Sequence, residues 1–137
     1  MTPDQEKIRA LAEFRSALRR FLAFSEEAAT AAGTSSQQYQ ALLAIGGATS
    51  LTVGALGREL LLKPNAAVQL IDRLEAQGLV ARERTEGDRR AVGVTLTSEG
   101  RALLQRLAGL HLGQLAKRQK QFADVLRRLR QTQMDVE

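Results

Sequence analysis

Gly87-Asp88-Arg89-Arg90-Ala91-Val92-Gly93-Val94-Thr95-Leu96-Thr97 packs a basic hairpin tip, a short strand and the cap of a new helix into eleven residues. Gly87 and Asp88 supply turn chemistry, and Val92, Val94 and Leu96 alternate as a half-buried strand requires. Thr97 suits a helix N-cap, and Glu99 follows it in the first turn, where a negative charge is favoured. Arg89 and Arg90 at such a tip are poorly placed for core work. They are well placed to reach a phosphate backbone or a minor groove.

The residues upstream turn that tip into a constellation. Thr52 to Leu60 forms one short apolar-periodic segment, and after a tight Leu-Leu-Lys-Pro connection Asn65 to Gln77 forms a second. Gly78 ends the second segment as a left-handed cap, and Leu79-Val80 opens a strand. Helix, short turn, helix, strand, basic tip, strand is the order of a winged helix-turn-helix. The expected fold is mainly α with a small β-wing, flanked by N- and C-terminal helices.

On these residues the chain resembles the MarR family of bacterial transcriptional regulators. Asp88, Arg90, Val94, Leu96 and Thr97 fit its wing pattern D-x-R-x-x-x-V-x-L-T. The run from Pro64 to Val80 resembles its recognition helix and exit strand, and the likeness holds from about Ser35 to Gly100. The resemblance implies an organisation: residues 1–33 as an N-terminal dimerisation helix, 34–97 as the DNA-binding domain, and 98–137 as C-terminal dimerisation helices. It implies a homodimer on double-stranded, pseudo-palindromic DNA. It also implies release by a small, often aromatic or phenolic, effector.

Composition bounds the alternatives. A chain of 137 residues suits one compact domain or a small domain with helical extensions. No apolar run approaches a membrane span, and the start lacks a signal-peptide pattern, so a cytoplasmic location is expected. There is no cysteine, which removes thiolate nucleophiles and thiol-based redox sensing and argues against the oxidant-sensing branch of the family. One histidine and no cysteine make a dedicated zinc site a poor expectation, and no cofactor is expected. An enzyme also lacks support: Gly54 and Gly57 lie inside a short helix rather than in a phosphate-cradling loop, and no carboxylate pair stands in a metal or glycosidase context.

The net charge of +5 is unevenly spread. Residues 58–90 hold seven basic and six acidic side chains, whereas residues 101–130 hold eight basic ones against Asp124 alone. Basic surplus therefore lies on the C-terminal helices, and placement of particular residues has to carry the case for DNA binding. A winged-helix protein-interaction module without specific DNA binding stays open for that reason. The C-terminal cluster of Lys117, Arg118, Lys120, Arg127, Arg128 and Arg130 reads as a solvated face, with a secondary DNA or acidic-partner surface as the alternative.

On a helical wheel, Ala67, Leu70, Ile71 and Leu74 form the buried face of the second segment, and Asn65, Val68, Gln69, Asp72 and Arg73 the opposite one. Asn65 and Gln69 suit bidentate contact with adenine, Val68 suits a thymine methyl, and Arg73 suits a phosphate or guanine. Asp72 would repel phosphate. It is expected to pair near Arg73 or with Lys63, or to accept from a cytosine. By the resemblance, Lys63 stands where the family commonly has a small polar N-cap, and it could contact phosphate; Thr52, as the cap of the first segment, could present backbone amides to one. Arg82 and Arg84 alternate on one face of the first wing strand, as phosphate contacts or a plain solvated edge. Asp88 is expected to orient Arg90 or the turn.

Outside the reading head, Ile8, Leu11, Phe14, Leu18, Phe21 and Leu22 predict one helix from Asp4 to about Ala31. Ser35 or Ser36 caps the next, closed by Gly46-Gly47. Leu103 to Leu115 predict a long helix from Ser98, and Phe122, Val125, Leu126 and Leu129 a separate last one. Such amphipathic ends exceed what a short chain can bury, which favours a two-fold dimer over one self-contained helical core. His111, within the leucine stripe, reads as a buried, hydrogen-bonded residue at a dimer or pocket wall, with a pH or ligand role as the alternative.

Overall fold

The structure, a computed structural model, describes residues 2–84 and 92–131. Its elements run α1 (Pro3–Ala31), α2 (Ser36–Gly46), β1 (Leu51–Thr52), α3 (Val53–Glu59), α4 (Pro64–Ala76), β2 (Val80–Arg84), β3 (Val92–Leu96) and α5 (Ser98–Gln131). They divide into two compact units: Ala29–Gly109, and the chain up to Ala28 together with the chain from Leu110. No helix among the described residues is long and apolar enough to cross a membrane.

Within Ala29–Gly109 the sheet order is β1-β3-β2, antiparallel throughout, with Val80 opposite Leu96 and Leu51 opposite Val94. The two-residue β1 is a strand that periodicity could not reveal, because two residues show no alternation. Its pairing with β3 brings Leu51 and the start of α3 onto the sheet. Leu42, Leu56, Leu70, Ile71 and Leu74 are fully buried, with Val80 and Val94 closing the same core. Burying each such side chain contributes about 1.5–3 kcal/mol.

α3 and α4 cross closely because of Gly57. A Cβ there would stand 3.1 Å from the Cβ of Ala67, tighter than ordinary contact. Three helices end in the same backbone device. Gly33, Leu61 and Gly78 each take positive φ, of 80°, 56° and 74°. In each, two successive amides reach back to carbonyls three and five residues earlier: Leu61 N–H to Arg58 and Leu62 N–H to Gly57, at 3.2 and 2.7 Å, in the case of α3. Two of the three positions are Gly. Leu61 holds the strained conformation with a Cβ, and its side chain is 92% exposed.

The junction between α4, the sheet and α5 is tighter still. Thr97 N–H donates to the Leu79 carbonyl at 3.1 Å, and the Thr97 hydroxyl donates to the Gly78 carbonyl at 2.5 Å. The same oxygen accepts Gly100 N–H at 3.1 Å, which makes Thr97 the expected N-cap. Gly100 lies so near the Leu79 carbonyl that a Cβ would be 1.9 Å from its oxygen. Only glycine fits there.

The other unit brings the first part of α1 against the later part of α5. Ala10, Ala17 and Val125 are buried, and His111 is buried with its Nε2 2.8 Å from the Ser25 hydroxyl. Phe21 and Phe24 meet the imidazole edge-on at 5.9 and 5.6 Å between ring centres. The expectation of two C-terminal helices is corrected: α5 is continuous over 34 residues. The interval from Leu115 to Phe122 is polar yet free of helix breakers, so change of composition there does not end the helix.

Leu61→Gly is expected to raise stability by about 1 kcal/mol, since it relieves a left-handed residue and removes an exposed leucine. Urea unfolding should show a higher midpoint with unchanged slope. Gly100→Ala is expected to cost about 3 kcal/mol in the same measurement, because backbone must move to admit the methyl group.

Candidate nucleic-acid interface

α4 begins at Pro64, whose fixed φ suits the first helical position, after Lys63, which makes no side-chain cap bond. Its two faces are sharply divided: Ala67, Leu70, Ile71 and Leu74 face the core, while Asn65, Val68, Gln69, Asp72 and Arg73 are exposed. The polar face is therefore one continuous surface, with a single apolar side chain, Val68, in its middle. Amides, a methyl pair and a guanidinium along one helix face can address the edges of stacked base pairs.

Thr52 is the N-cap of α3, and its Oγ1 accepts the Ala55 N–H at 3.1 Å. Lys63 is exposed at the entry to α4. Arg84 is exposed at the end of β2, where it shares a groove of about 370 Å³ with Thr49, Ser50 and Glu83. Asp88, Arg89 and Arg90 lie outside the described residues.

Asp72 finds a partner that its helix neighbours do not supply. Arg82, on β2, places Nη2 2.5 Å from Asp72 Oδ1 and Nη1 2.8 Å from Glu75 Oε1. Its backbone N–H also donates to Glu75 Oε2 at 3.3 Å. The expected pairing of Asp72 with Lys63 or near Arg73 is thereby corrected, and Arg82 is neither a spare phosphate contact nor a plain solvated edge. The Asp72 hydrogen bond, helped by the charges of both carboxylates, outweighs partial burial and holds the Arg82 guanidinium even more firmly protonated than an ordinary arginine. One signal for this lay in the sequence: the Gly78 turn folds β2 back along α4, and Asp72 and Glu75 are one turn apart on the returning side.

The fork neutralises two carboxylates beside the exposed face of α4. Arg73 and Lys63 then dominate the charge along that face, although the segment as a whole is nearly balanced.

A family model for the MarR family matches residues 32–91, which contain α2 to β2 and the segment leading to β3. The chain belongs to the MarR family. A curated relative, the organic hydroperoxide resistance transcriptional regulator of Bacillus subtilis (strain 168), is 37% identical over 93 residues, covering 68% of this chain and 63% of that protein. The chain spans less than two thirds of the length of the curated relatives it matches. Among solved structures, YusO from Bacillus subtilis superposes with a TM-score of 0.71 at 22% identity, over 96% of this chain and 99% of that one. AbsC, a MarR family transcriptional regulator from Streptomyces coelicolor, gives 0.70 at 21% identity over 85% and 78%. These likenesses show the winged-helix fold, including the long C-terminal helix.

In this MarR-family head, Arg82→Ala is expected to lower stability by about 1 kcal/mol, the upper end for exposed ion pairs because two carboxylates share one guanidinium. Arg82→Lys should recover only part of it, since an ammonium cannot span both acceptors in fork geometry. Urea midpoints of the three proteins decide the order.

Proposed function

We propose that this chain is a sequence-specific, dimeric DNA-binding transcriptional regulator that acts as a repressor and leaves its operator when a small aromatic or phenolic effector binds. The observation that carries this reading is the exposed face of α4, where Asn65, Val68, Gln69 and Arg73 stand in line while the opposite face is locked into the core. Arg89 and Arg90 complete the reading as minor-groove or phosphate contacts, with Lys63, Arg84 and the α3 start at Thr52 along the backbone.

Dimerisation is supported by the unit that contains the outer parts of α1 and α5. Ile8, Leu11, Leu18 and Leu22 on α1, and Leu112, Leu115 and Leu126 on α5, are exposed, Leu112 by 67% and Ile8 by 62%. A soluble monomer rarely leaves so much contiguous apolar surface in water. Two copies related by a two-fold axis would present their α4 helices to successive major grooves about 34–36 Å apart. The effector would act by favouring a spacing of the heads that misfits the operator. Since the sequence holds no cysteine, that response cannot run through a thiol of these residues.

Selection from random duplexes with the purified protein should return a pseudo-palindrome, A/T-leaning where Val68 and Gln69 meet it. On the selected site, Gln69→Ala should weaken binding about tenfold, the loss of one bidentate base contact. Arg90→Ala should weaken selected and unrelated duplexes alike and flatten the dependence on salt. A monomer that shows no preference among duplexes, with binding insensitive to salt, would overturn the reading in favour of a protein-interaction module.

A further inference from the structure

The unit built from the outer parts of α1 and α5 contains a concave groove of about 640 Å³, within the range of small-molecule sites. Its walls are the stripe Glu13, Ser16 and Arg20 on α1 and the stripe from Lys117 to Arg128 on α5. Val125 is the one apolar side chain among those lining it. The rest of the wall combines charged or polar heads with the aliphatic stems that carry them.

Its charges are not self-compensated. Glu13 is taken up by Arg9 at 3.5 Å and by Arg128, and Asp124 by Arg127 at 2.7 Å. Among the described residues, Arg20, Lys117 and Lys120 have no carboxylate within ion-pair distance. Ser16 and Gln121 add neutral donors beside them. Three unmatched cations face one space from two helices, Arg20 from one wall and the two lysines from the other.

The groove is also on the far side from the apolar stripes. At about 100° per residue, Glu13, Ser16 and Arg20 centre about 160° around α1 from Ile8, Leu11, Leu18 and Leu22. The groove residues of α5 lie about as far from Leu112, Leu115 and Leu126. The groove and the leucine stripes are therefore separate faces of the same helices.

We propose that the groove is a binding site for a small polyanion bearing at least two phosphate or carboxylate groups, one held by Arg20 and another by Lys117 and Lys120. The ligand bridges α1 and α5 and so stiffens their packing. This site is distinct in chemistry from a pocket for an aromatic effector and does not depend on DNA binding.

Calorimetry and thermal melting of the full chain at low ionic strength, with pyrophosphate, citrate and benzoate as probes, test it. Pyrophosphate or citrate should bind one per chain and raise the melting temperature, and the tighter of the two tells phosphate from carboxylate chemistry. The double variant Lys117→Ala/Lys120→Ala and the single Arg20→Ala should each weaken that binding at least tenfold. Arg106→Ala, an exposed cation of α5 outside the groove, should leave it unchanged. Lys117→Gln/Lys120→Gln keeps the stems and should melt like the parent without ligand while losing the ligand-induced shift. Three results would each overturn the proposal: neither polyanion binding, Arg106→Ala weakening binding as much as the groove variants, or benzoate binding as tightly as citrate.

Discussion

The carbonyls of Gly78 and Leu79 are where the reading head is tied together. Gly78 turns the chain out of α4 in a left-handed conformation, and the Leu79 N–H reaches back to the Leu74 carbonyl at 2.9 Å. Both carbonyls are then claimed by Thr97, one by its amide and the other by its hydroxyl. Thr97 in turn caps α5, whose first turn can sit against Leu79 only because residue 100 has no side chain. The end of α4, the start of β2, the end of β3 and the start of α5 thus share one cluster of hydrogen bonds. A shift of any one of these elements therefore breaks hydrogen bonds to the others, although the Thr97–Gly78 bond itself lies at the surface.

Electrostatics follows from that geometry. Because β2 must run back beside α4, Arg82 arrives within reach of Asp72 and Glu75 and absorbs both. A helix face that would otherwise carry a carboxylate toward a polyanion is left with Arg73 and Lys63 as its effective charges. Near-zero net charge over residues 58–90 is therefore compatible with a locally positive surface. Summed charge hides this; pairing reveals it.

The outer parts of α1 and α5 divide their surfaces by chemistry. One side of each is leucine-rich and exposed, the other polar with cations, and the buried strip between holds His111 against Ser25, Phe21 and Phe24. The imidazole position shows why residue type alone is a poor guide. A histidine in a leucine stripe can be buried because one hydroxyl and two aromatic edges receive it.

Short-range chemistry determined most of the head: the 3.6-residue periodicity of α4, the Ser35 and Thr97 caps and the Gly78 turn are all local, and each was legible in the linear order of residues. The exposed face of α4 was legible too, because a helix sorts its own sides. Two features were decided only in three dimensions. β1 exists because β3 offers it hydrogen bonds, and two residues carry no pattern of their own. The continuity of α5, by contrast, is itself local, since no breaker interrupts its polar middle and a change of composition alone does not end a helix. The partner of Asp72 was set by the return of β2, a contact across ten residues that no spacing rule within one helix contains. Local rules see neighbours within a turn; pairing between elements depends on where the chain comes back.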